Sequence, residues 1–258
     1  MRQAVHAEWT KLRTLPGTGW LLLGCIALTA ALSATAAAAV TCQSASCGLD
    51  PARISLTGIY LGQAVVVTLA VLAMGGEHNT GMIRITLAAM PCRIKVLAAK
   101  AAVLSGLVLA AGTIAVLVSV MAGSLILPGH GFTPAHGYAP LSLTDGPVLR
   151  AAAGSVLYLA LLALLSLGVA AIVRDSAVAI GVVLALLYVF PLLAFVVTDP
   201  DWQQRLQQIG PMTAGLAIQA TIDLQNLPIS PWGGLGVLAI WAAACLVFGG
   251  VLLRLRDA

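Results

Sequence analysis

Polar and apolar positions in this chain alternate by whole segments rather than by single residues. Six windows contain no Asp, Glu, Lys, Arg or His: Leu15–Leu49, Ile54–Gly76, Ala101–Gly129, Ala151–Val173, Ser176–Thr198 and Leu224–Leu253. Each can hold a helix of about 20 residues, which at a rise of 1.5 Å per residue crosses the roughly 30 Å of a bilayer's hydrocarbon. The windows predict spans over 18–40, 54–75, 101–127, 151–173, 176–197 and 232–253, leaving little chain for a soluble domain. Membrane strands would alternate apolar and polar positions over about ten residues, and runs such as Ala151–Leu167 do not. The expected class is an all-α integral membrane protein with six spans.

Composition agrees with this class: 60% of residues are apolar, only 9% are charged, and the mean hydropathy is +1.01. The placement of the few charges predicts orientation. With the N-terminus inside, Arg2, Lys11, Arg13, Arg84, Arg93, Lys95, Lys100, Arg174, Arg254 and Arg256 face the cytoplasm, against Arg53, Arg150 and Arg205 outside. Glu8, Glu77, Asp175 and Asp257 also fall inside; Asp50, Asp145, Asp199, Asp201 and Asp223 fall outside. The expectation is a multi-pass protein of the plasma membrane with both termini cytoplasmic. Cations scattered over every inner loop, rather than gathered on one face, argue against a nucleic-acid partner.

Arg2, Lys11 and Arg13 before Trp20–Ala39 resemble the start of a secretory signal, but the uncharged stretch exceeds the usual 7–15 residues of a signal core. An uncleaved first span is therefore expected. Ahead of it, Val5, Trp9 and Leu12 recur at i, i+4, i+7, which predicts a short interfacial helix over 2–14 with Trp9 at headgroup level and Pro16-Gly17 as the break. The competing reading is a basic tail that only sets topology.

The spans carry hydroxyls and amides, among them Thr29, Ser33, Gln63, Thr68, Ser119, Ser155, Tyr158, Ser166 and Tyr188, and no ionisable group at their centres. Ion-coupled pumps and proton relays keep such groups at membrane depth because their cost is borne for function. An intramembrane protease lacks its base, since no histidine lies in a span to activate a serine. His6, His78, His130 and His136 have no neighbouring ligands at zinc spacing. Cys42 and Cys47 share the first outer loop and can either close a small disulfide or remain thiols. No cofactor is expected in this chain.

Energy for transport must then come from outside, because no Gly-rich phosphate loop ending in Lys-Ser/Thr is present. The segment 76–100 is the interior place where charge collects, and it suits docking by a separate ATPase. Gly75-Gly76 lets span two end at Glu77, Asn79-Thr80-Gly81 reads as a turn or cap, Met82–Leu87 supplies a short two-faced helix, and Pro91 breaks it. An ordinary positive-inside loop is the alternative, yet Arg174-Asp175 makes such a loop from two residues. Beyond span five, Trp202, Leu206 and Ile209 form one amphipathic set and Leu216, Ala220, Leu224 and Leu227 a second, with Gly210-Pro211 between them.

Nearly end to end, the chain resembles a permease of the ABC type-2 exporter family in its actinobacterial form. Glu8-Trp9-Thr10-Lys11-Leu12-Arg13-Thr14 is similar to that family's N-terminal interfacial helix. Glu77, Thr80-Gly81-Met82-Ile83-Arg84, Thr86-Leu87, Pro91 and Lys100 match its pattern after the second span, the most specific of the matches. Leu141–Asp145 with Leu149-Arg150-Ala151, Arg174 with Ala177, Ala179 and Ile180, Phe190-Pro191, and Leu252–Asp257 resemble it further, while His78 and Cys92 depart from it. The resemblance implies two six-helix halves, a second permease copy or a paralogue, each docked on a cytoplasmic ABC ATP-binding subunit that binds ATP and magnesium. It implies that Glu8, Trp9, Lys11, Leu12 and Arg13, with Glu77, Thr80, Gly81, Arg84, Thr86, Leu87 and Pro91, receive the ATPase stroke. It also implies outer half-helices over 198–231, in which Trp202, Leu206, Ile209 and Pro211 gate the exit; a pair lying flat on the surface is the other reading. The expected function is export of a hydrophobic or amphipathic drug, peptide or lipid, with an antimicrobial-peptide resistance module or a non-transporting scaffold or sensor as alternatives. Substrate contacts are not assigned.

Overall fold

A computed structural model describes residues 2–14, 16–42, 47–79 and 93–255, and every regular element among them is helical. The helices are α1 (Arg2–Thr14), α2 (Pro16–Ala39), α3 (Pro51–Ser55), α4 (Ile59–Asn79), α5 (Arg93–Ile126), α6 (Gly146–Val173), α7 (Ser176–Val196), α8 (Pro200–Ile209), α9 (Pro211–Leu216) and α10 (Pro231–Leu255). Six of them, α2, α4, α5, α6, α7 and α10, are long and apolar enough to cross a membrane, which makes this a multi-pass membrane protein.

These helices are apolar around their whole circumference, as expected where lipid rather than water covers the outward side. Burial therefore follows position in the bundle. The centre is α6, which packs on α10, α4, α5 and α7. Large apolar side chains of the outer helices, such as Leu28 on α2, Phe195 on α7 and Phe248 on α10, stay exposed for lipid.

Without water to drive helices together, small residues and close backbone approach do so instead. Cys25, Thr29, Ser33 and Ala37 form a buried stripe along α2 that faces α4 and α5. Gly58, in the turn before α4, lies so close that a Cβ there would overlap the Thr29 carbonyl. Its N–H donates to Ser33 Oγ at 3.0 Å. Other span hydroxyls bond back into their own helix: Thr68 donates to the Ala64 carbonyl and Ser166 to the Leu162 carbonyl.

Three helix boundaries differ from the sequence reading, each for a local reason. Span two is preceded by a separate short helix, α3, because Asp50 caps it by accepting from the N–H groups of Ala52 and Arg53 at 3.1 and 3.3 Å, and the turn at residues 56–58 parts it from α4. Span three begins at Arg93 rather than 101, so α5 is 34 residues long and Lys100 lies within it. At about 51 Å it outreaches a bilayer's hydrocarbon core. The third difference concerns the second amphipathic set, which is not one helix. After Leu216 the chain takes a 3-10 turn over 217–219, extends at Ala220 and enters the left-handed region at Asp223 (φ 51°).

Between α6 and α7 only Arg174 and Asp175 intervene. Arg174 takes a left-handed conformation (φ 64°) that ends α6, and Asp175 Oδ1 accepts from Val178 N–H at 2.8 Å to start α7. The bundle thus has a proximal end, where α1, the end of α4, the start of α5 and the α6–α7 turn lie, and a distal end that carries α3, α8 and α9.

Candidate functional site

At the proximal end, Ala4, Glu8 and Leu12 form one buried stripe on α1. Val5 is half-buried and Trp9 is 44% exposed, so the helix rests on the bundle by a face rotated from Val5, Trp9 and Leu12. The cause is a charge. Glu8 Oε2 accepts from Lys100 Nζ at 2.7 Å, with both side chains almost fully buried. The same ammonium donates to the Ala73 carbonyl on α4 at 2.9 Å, and Lys11 Nζ stands 3.5 Å from Glu8 Oε1. One lysine therefore ties α1, α4 and α5 together. Two charges persist out of water only when paired and hydrogen-bonded, and removing one partner strands the other at a cost of about 3–5 kcal/mol.

Next to this joint α4 also touches α7. Gly75 leaves the space that Ser176 Oγ occupies, so a side chain there would collide with the first residue of α7. The helix that carries Ala73 and Gly75 runs on to Asn79. Thr80, Gly81, Arg84, Thr86, Leu87 and Pro91 lie outside the described residues, as does the side chain of Glu77. Arg13 is exposed, while Leu12 is buried beside Glu8.

Lys100 is the residue that sequence reasoning misplaced, by treating it as the end of a loop. A signal was there: Glu8 is the sole acid among the first 49 residues, set in a basic helix, and Lys100 is the last cation before the uncharged run of span three. Such a lone acid needs a buried cation when its helix lies against the bundle.

Deeper in the bundle four helices share a second polar cluster. Tyr158 OH on α6 donates to Gln63 Oε1 at 2.5 Å; Gln63 Nε2 donates to Tyr188 OH on α7 at 3.1 Å and lies 3.5 Å from the sulfur of Met212 on α9. Tyr188 OH in turn donates to the Tyr60 carbonyl at 3.2 Å. The cluster is uncharged, and its members satisfy one another.

At the distal end Asp199 caps α8 through the N–H groups of Asp201 and Trp202. Trp202 and Ile209 are exposed, Leu206 is half-buried and Pro211 is buried at the head of α9. The chain after α9 is held by side chains from elsewhere. Arg150 Nη2 donates to the Ala220 carbonyl at 2.6 Å, Gln219 Nε2 to Ser155 Oγ at 3.2 Å, and Asp50 Oδ1 accepts from Thr221 Oγ1 at 2.7 Å. Asp50 Oδ2 also accepts from the N–H groups of Thr221 and Ile222. These anchors explain why the second amphipathic set does not continue α9 as a helix. Nearby, Cys42 and Cys47 form a disulfide with their Cα atoms 5.9 Å apart, and Cys42 N–H donates to the His130 carbonyl at 2.8 Å.

Among the described residues no three His, Cys, Asp or Glu side chains gather as metal ligands. No protein-family model and no curated protein sequence matches this chain.

Proposed function

We propose that this chain is the membrane subunit of an ATP-driven ABC exporter that moves a hydrophobic or amphipathic compound outward. In this reading the proximal end faces the cytoplasm, and a separate ATP-binding subunit, which supplies ATP and magnesium, grips α1 and the segment after α4. A second permease copy or a paralogue completes the transporter in the plasma membrane. The observation that carries the proposal is the buried Glu8–Lys100 pair with its bond to Ala73, because it makes α1, span two and span three one mechanical unit at the end where the partner would push. A tilt imposed on a rigid short helix then reaches two spans without first being absorbed by a loop. The uncharged Gln63 cluster supports a cargo with an apolar body, since it offers no counter-ion at depth.

The test is substitution of Glu77 and Arg84 to alanine in the complex purified with its ATP-binding subunit. The proposal expects loss of subunit association together with loss of membrane-dependent ATPase activity. Unchanged association and activity would move the docking surface elsewhere.

A further inference from the structure

A cavity of about 430 Å³ opens at the distal end between the start of α4, the end of α7, and α8 with α9. That volume lies within the roughly 300–1,000 Å³ of small-molecule sites. Its wall is divided by chemistry. Pro191, Phe195, Leu216, Leu227 and Ile229 line it with apolar surface, while Arg53 and Gln207 contribute polar groups. Among the described residues Arg53 is the only charged one in the lining, and neither its guanidinium nor the Gln207 carboxamide has a hydrogen-bond partner among them. Three neighbouring polar groups are, by contrast, engaged: Gln203 donates to the Ala194 carbonyl, Thr213 donates to the Gln207 carbonyl, and Asp50 is occupied by the donors of 52, 53, 221 and 222. An unpaired guanidinium with a free amide beside an apolar trough is complementary to a molecule with an acceptor-rich anionic head and a hydrocarbon body.

Two wall residues are held from behind. The Tyr60 carbonyl accepts from Tyr188, and the Met212 sulfur stands against Gln63, so the floor of the cavity is fixed by the buried cluster. Pre-set walls reduce the ordering cost of binding.

We propose that this cavity binds an anionic single-chain amphipath, its carboxylate or phosphate on Arg53 and Gln207 and its chain along Pro191, Phe195, Leu216 and Leu227. As a statement about cargo this rests on the exporter proposal; as a binding site it rests on the cavity alone. The experiment therefore uses the full chain purified in neutral maltoside micelles, without nucleotide or partner, and two fluorescent probes: dansylamino-undecanoic acid and its uncharged methyl ester. The wild-type chain is expected to bind the acid saturably, one per chain. Arg53→Gln, at an exposed residue that bonds nothing through its side chain, should weaken the acid about tenfold or more and leave the ester unchanged, a difference of about 1.4 kcal/mol. Ala217→Trp, which fills the cavity from its half-buried lining, should remove both, with an unchanged thermal melt as the control for folding. Resistance of the bound acid to phosphatidylglycerol mixed into the micelles is expected of a single-chain site; displacement by that two-chain lipid would overturn the single-chain assignment. Absence of saturable binding, or equal affinity for the acid in wild type and Arg53→Gln, overturns the site whatever becomes of the exporter proposal.

Discussion

A lysine with 1% of its surface exposed among apolar spans is a large local commitment, and Lys100 makes it to the Glu8 carboxylate and the Ala73 carbonyl. Glu8→Gln should destabilise the purified protein by about 3–5 kcal/mol by breaking a buried ion pair, and Lys100→Met by less, because Lys11 still stands 3.5 Å from the Glu8 carboxylate. The double variant Glu8→Leu with Lys100→Met removes both charges and should recover most of that loss. Thermal denaturation in detergent measures all three, and equal destabilisation by the double and the single variants would show that the pair's charge is not what holds α1. Asp50 has the opposite character, being half-buried and serving both α3 and the chain at 221–222. Asp50→Ala should speed amide hydrogen exchange at Thr221 and Ile222 while leaving α6 unchanged, since the lost bonds are local. The five cysteines offer a third check. With Cys42 joined to Cys47, alkylation of the denatured, unreduced chain should modify three thiols, and reduction beforehand should raise this to five. Five modified thiols without reduction would contradict the bond.

Helices α2 and α4 are held by small residues, and this is where a modest change in volume should do most damage. Gly58→Leu is expected to cost about 1–3 kcal/mol by pushing α2 off α4 at Thr29, read as a lower melting temperature. Gly24→Leu is the control, since nothing lies within 4 Å of a Cβ built there, and it should be nearly neutral. At this scale the sequence was most legible. Charge-free windows located all six long helices, and the Arg174-Asp175 turn was readable to the residue, because exclusion of charge from a bilayer is a strong, local signal. The two ends of the bundle were harder. Asp50 starting α3, α5 reaching back to Arg93, and the chain after Leu216 leaving its helix all depend on partners far away in sequence: Thr221 for Asp50, Glu8 for Lys100, Arg150 for Ala220. Periodicity reports a face, not the group that will sit against it. The i, i+4, i+7 spacing of Val5, Trp9 and Leu12 therefore located the helix α1 but with the wrong buried stripe.

Among the described residues, the six spans form a bundle around α6 whose buried polar side chains include hydroxyls, carboxamides and, at the proximal edge, the Glu8–Lys100 ion pair. Nothing among them resembles a proton relay, and no nucleotide loop occurs in the sequence, so a transport cycle would need work done on the bundle by another subunit. In the proposed reading the proximal joint would receive it, since three elements meet on Lys100 at the end where α1 lies. The most direct measurement is affinity purification of the tagged chain from its native membrane in mild detergent, followed by an ATPase assay. The account predicts an ATP-binding subunit in stoichiometric amount and hydrolysis of ATP by the eluate; a chain that elutes alone and without ATPase activity would contradict it.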